Sequence, residues 1–204
     1  AWRLSLCTDV EMRYSFEQRR EQLLRQHNAA WLNILDAASA YYHALLGKTE
    51  RIPEVFSAHR LSLISILAPG KPMAEMIENQ VYLAQGANAK VIGHSAQLLA
   101  VCEAMHYALV ALHVRIQTAA AYEHLGKREE ARVWLGKALS GATPDGLVMP
   151  FVENYAHLKP LLARERKTDL IAKITELGEA AGARNAASAH PAAFDALTPR
   201  EFED

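Results

Sequence analysis

Cysteine is almost missing from this chain: 204 residues contain only Cys7 and Cys102. A small secreted scaffold stapled by disulfides carries a far higher density, so a reducing cytoplasm is the expected location. Strand formers are scarce too, with ten Val and nine Ile against 36 Ala and 26 Leu, the two strongest helix formers. The expected fold class is therefore all-α. Long apolar runs are absent. The stretches 61–69 and 98–102 fall well short of the about 20 residues a membrane helix needs, so no membrane partner is expected. There is no excess of positive charge either: 22 basic residues against 23 acidic ones leave a formal net charge of −1, too little to neutralise a nucleic-acid backbone. Neither G-x-x-x-x-G-K nor G-x-G-x-x-G occurs, and no cofactor is expected.

Glycine and proline are missing from residues 1–46, where apolar residues recur at helical spacing from Phe16 to Leu45. One helix of that length is unusual, and the polar run Arg25-Gln26-His27-Asn28 is the expected break. Basic residues Arg13, Arg19, Arg20 and Arg25 alternate with Glu17 and Glu21, the pattern of a solvated helix face. Gly47 stops this segment. The run 61–67 reads as a short helix or a buried connector, with a strand as the alternative. Pro72 suits the first turn of a helix reaching Gln85, and Gly86 ends it. Helices are expected over 88–102, 103–125, 128–140, 147–163 and 167–177.

Gly47, Gly86 and Gly126 are 39 and 40 residues apart, and each follows an aromatic or histidine: His43, Tyr82, Tyr122. A two-helix repeat of that length is the mark of an α-solenoid. In the third copy Ala119, Tyr122, Gly126, Ala131, Leu135, Ala138, Leu139 and Pro144 fall at offsets 0, 3, 7, 12, 16, 19, 20 and 25. This resembles the tetratricopeptide (TPR) pattern, which implies an α-solenoid of antiparallel helix pairs. In that pattern Ala119 and Ala131 sit where the two helices of a pair cross.

The tail Leu197-Thr198-Pro199-Arg200-Glu201 carries a capping box, Thr198 with Glu201, and Pro199 at the first helical position. This string closely resembles the opening of the LuxR-type helix-turn-helix domain. It follows nine Ala within residues 180–196, a composition expected of a linker. Further phrases look like the same family, among them Leu125-Gly126-Lys127-Arg128-Glu129-Glu130-Ala131 and Pro144-Asp145-Gly146-Leu147-Val148-Met149-Pro150-Phe151-Val152-Glu153-Asn154. The chain thus resembles the large, maltose-activator-like LuxR-type bacterial regulators over roughly residues 40–204. The resemblance implies three parts: a TPR-like sensory region at 1–178, an Ala-rich linker at 179–196, and the start of a DNA-binding domain at 197–204.

In that register the concave face takes His106 and His113, with Gln117 at its edge, from the third copy. Met73, Met76 and Gln80 come from the second copy and Tyr41 from the first. Methionine, tyrosine, histidine and glutamine together suit a small amphipathic effector or a protein partner. Self-association is a further expectation of the resemblance, and DNA would be reached only through the domain after residue 196. Glu103-x-x-His106 has the spacing of di-iron bundles, but no second copy occurs, so no metal site is expected. No catalytic set is expected either, and the alternative function is a free-standing TPR adaptor.

Overall fold

The computed structural model describes residues 9–64 and 66–188. Their regular structure is entirely helical: α1 (Asp9–Arg25), α2 (Ala29–Leu45), α3 (Glu54–Ser57), α4 (Lys71–Ala84), α5 (Asn88–Ala104), α6 (Ala108–His124), α7 (Arg128–Ala142), α8 (Met149–Glu153), α9 (Tyr155–Leu162) and α10 (Asp169–Ser188). Short 3₁₀ turns at Thr49–Arg51, Leu61–Leu63 and Ala68–Gly70 bridge the gap around α3. No described helix is long and apolar enough to cross a membrane.

One backbone device ends the first six helices. Each stops two residues before or at a left-handed residue, and that residue alternates between histidine and glycine: His27, Gly47, His59, Gly86, His106 and Gly126, with φ between +50° and +73°. After α4 the Gly86 N–H donates to Leu83 O at 3.0 Å and the Ala87 N–H to Tyr82 O at 2.8 Å. After α5 the His106 N–H donates to Glu103 O at 3.2 Å and the Tyr107 N–H to Cys102 O at 2.8 Å. Both are Schellman closures, which satisfy carbonyls that a helix end leaves orphaned. The expected break after Arg25 is present, with the Asn28 side chain accepting from the Trp31 N–H as the cap of α2.

The helices join in series. α2 packs on α1 and α4, α4 on α5 and α6, and α6 on α5, α7, α8 and α9, while α10 covers α8 and α9. Two apolar clusters result, one centred on α2, α4 and α5 and the other on α6 to α10, with Trp134 packed against both. Ala119, Ala131, Ala138 and Leu135 are all fully buried, as helices in close contact require. In α5 the smaller Ser95 is buried as well, and its hydroxyl donates to Val91 O while accepting from Thr118 of α6 at 2.7 Å.

Three expectations about organisation change. No strand occurs among the described residues of 61–67; the expected short helix is limited to the 3₁₀ turn Leu61–Leu63, and the segment is not a buried connector throughout, with Leu63 73% and Leu67 85% exposed. Its three-residue turns are too short to bring every apolar side chain to one face, and only Leu61 and Ile64 reach the core. The turn placed at 102–103 lies at 105–107, because His106 takes the left-handed conformation there. The boundary placed at 178 falls inside α10, which continues to Ser188. Gly178 is not a stop: a Cβ there would lie 2.3 Å from the Tyr155 ring, so the glycine lets α10 approach α9 closely. The segment 197–204, expected to open a DNA-binding domain, lies outside the described residues.

Candidate functional site

Tyr41 comes from the last turns of α2, His113 from α6 and Glu153 from the end of α8. The Tyr41 hydroxyl donates to Glu153 Oε2 at 2.7 Å and stands 3.4 Å from His113 Nδ1, with the two rings edge-on at 6.2 Å. Residues from three helices, up to 112 positions apart, therefore meet at one phenol. Burial governs their chemistry. It pulls the His113 pKa down to about 4, so the ring is neutral at pH 7. It raises that of Glu153, against the opposing effect of the Tyr41 hydrogen bond. Tyr41 is pushed far above the usual phenol range by burial first and then by the Glu153 charge and hydrogen bond, so it remains a donor at any ordinary pH.

One turn along α6 from His113, Gln117 continues the same face. Its Nε2 donates both to Met76 O at 3.0 Å and to Gln80 Oε1 at 2.9 Å. Both glutamines have no exposed surface, and Gln80 Nε2 and Gln117 Oε1 are left without a hydrogen-bond partner. Asn79, also fully buried, has both amide atoms unpaired. Buried polar atoms are normally satisfied, so three unfulfilled amides in adjacent helices mark a place where the protein has given up stability.

Five of the seven candidate residues thus fall into two linked groups: Tyr41 with His113, and Met76 with Gln80 and Gln117. Met73 stays on the surface at 43% exposure, in the first turn of α4. His106 does not join them. It lies in the exposed turn between α5 and α6, where its positive φ ends a helix. Its suggested partner Glu103 lies 3.8 Å from Arg115 instead. Glu153 was missed by sequence reasoning, although a lone acid directly after the apolar run 147–152 was the available signal. On α1, Arg25 pairs with Glu21 at 3.1 Å, the i,i+4 contact expected of a solvated face.

No family model, no curated protein and no solved structure matches this chain. The site must speak through its geometry. It offers an acceptor in Glu153, an unpaired donor in Gln80 and an unpaired acceptor in Gln117, with methionine beside them. Such a set orients a bound group by hydrogen bonds.

Proposed function

We propose that the chain is the TPR-like regulatory region of a bacterial LuxR-type transcriptional regulator, which binds an effector or protein partner on the face shared by α2, α4 and α6. In this reading α4 with α5, and α6 with α7, are antiparallel pairs of a short solenoid, and residues 179–196 lead toward a helix-turn-helix that opens at Leu197. The observation that carries the reading is the register. Gly47, Gly86 and Gly126 hold φ of +68° to +73° after α2, α4 and α6, and those three helices stack in series. Equivalent positions of the three helices then supply Tyr41, Met73 with Gln80, and His113. A ligand that bridges them shifts the packing of one repeat on the next, and so alters self-association or the placement of the DNA-binding domain. The protein works in the cytoplasm and performs no chemistry of its own.

Reading the parent gene past codon 204 tests this directly. A coding sequence for a helix-turn-helix of about 60 residues is expected. A stop codon there overturns the regulator reading and leaves the free-standing adaptor.

A further inference from the structure

A separate cavity of about 360 Å³ lies between the segment 61–71, α4 and α5. Small-molecule pockets begin at about 300 Å³, so it is large enough for a compact ligand. Its apolar wall is made by Leu61, Ile64, Ile66 and Leu98, and its charged lining by Glu75, Glu78 and Lys71, with His94 at the rim. Two carboxylates stand there against one ammonium. Glu75 and Glu78 point away from the seam described above, because residues two apart on a helix, such as 78 and 80, lie about 200° apart. None of the seam residues lines the cavity.

Glu78 is the group that needs explaining. It is only 8% exposed, and its one ion pair among the described residues is with His59. Its nearest partner is His59 Nδ1 at 3.5 Å, well beyond the about 2.8 Å of a charge-assisted hydrogen bond. The other ring nitrogen of His59 is engaged by a neighbouring amide. Gln85 Nε2 donates to Ser57 O, so Gln85 Oε1 is the acceptor for His59 Nε2 at 2.9 Å. His59 Nδ1 makes no hydrogen bond of good geometry, so His59 holds Glu78 through a long contact alone. Burial raises the Glu78 pKa, opposed by His59 and His94. A buried carboxylate held by one long contact is costly, and an incoming positive charge relieves that cost.

We propose that this cavity binds a small organic cation, an ammonium group carried on an apolar body, with Glu78 as the counter-ion and the Leu61, Ile64 and Leu98 side chains holding the body. An anion would meet two carboxylates. A metal ion lacks its ligand set, since no three His, Cys, Asp or Glu among the described residues converge on a point. The proposal is independent of the regulator reading, because it uses other residues on another side of α4.

Benzylamine is the probe, titrated calorimetrically into the whole chain at pH 7 beside benzyl alcohol and phenylacetate. Saturable binding of benzylamine is expected, with the two analogues at least about tenfold weaker. Glu78→Gln is expected to weaken benzylamine about tenfold. Gln97→Lys places a tethered ammonium at the exposed edge of the same lining, and is expected to block the probe without lowering the melting temperature. Three results overturn the proposal: no saturable binding of benzylamine, benzyl alcohol binding as tightly, or wild-type affinity in both variants. None of them bears on the regulator reading, which stands or falls on the sequence beyond codon 204.

Discussion

From α4 to α7 the helices run 14 to 17 residues and are joined by three-residue turns, whereas the helix that follows α2 shrinks to the four residues of α3. The regular half fills its interior with small residues between close helices: Ala119, Ala131 and Ala138 have no exposed surface. The irregular half has Ile52-Pro53 where a helix would continue, and it fills the space with two large side chains, Ile52 and Phe56, at 6% and 0% exposure. Both regions close a core, and the second leaves room beside it. The 360 Å³ cavity and another of about 790 Å³ lined by Phe16, Pro53 and Val55 both border the shortened segment. The shortened segment is thus one place where this molecule gains concave surface.

The largest expected effect tests that contrast. Leu135→Ala in the regular half should lower global stability by about 2–5 kcal/mol in denaturant unfolding, since the site cannot collapse between packed helices. Phe56→Ala should instead open residues 49–64 locally, seen as faster amide exchange there while α6 and α7 stay protected. Equal loss of protection in both halves would erase the distinction.

Gly178→Ala is next. A linker glycine would gain stability from the change, through helix propensity. Because a Cβ would lie 2.3 Å from the Tyr155 ring, a loss of about 1–3 kcal/mol is expected instead, read as a drop in melting temperature.

The alternating helix ends supply a pair of substitutions with opposite signs. Gly126→Ala forces a side chain into φ +73° and should cost about 1 kcal/mol. His106→Gly removes a side chain from φ +56° and should stabilise by up to about 1 kcal/mol, reduced by the added freedom of the unfolded chain. The same sign for both in thermal unfolding would mean that the left-handed backbone is not what these turns require.

The smallest effect concerns pH. His157, which stands 3.3 Å from His124, has its pKa lowered from 6.5 to about 4 by burial and then by the His124 charge. A histidine with a depressed folded pKa binds its proton more readily when unfolded. Its contribution is therefore intact above pH 6.5 and is lost as pH falls toward about 4. Glu78 and Glu153, with raised pKa values, act in the opposite sense. The readout is thus a difference: His157→Gln should show a shallower fall in melting temperature than wild type between pH 6.5 and 4. Parallel curves would refute the assignment.

Glycine, proline and polar breaks announced much of the helix order. The ends at Gly47, Gly86 and Gly126, the break before Ala29 and the entry of Pro72 into α4 all follow from backbone chemistry that needs no tertiary partner. Histidine hid two further ends, since only the first of the three histidine turns lay in a run that read as a break. His27, His59 and His106 take the conformation that glycine takes, yet histidine is no turn signal, so the start of α6 was misplaced by several residues and His106 was assigned to a helix face. The candidate site was half legible. Helical register placed His113 with Gln117 and Met76 with Gln80 along their faces, but which residues meet across helices depended on packing.

By itself the sequence determined that this chain is helical, because Ala and Leu outweigh β-branched residues, and where glycine ends its helices, because few other residues tolerate positive φ. Only the tertiary structure decided that Tyr41 reaches Glu153 across 112 positions, that Gly178 is a contact and not a stop, and that Glu78 is buried against His59. The reason is the range of the forces. Capping and propensity act within a turn or two of helix, whereas burial, charge and close approach are properties of neighbours that the chain supplies only once it has folded.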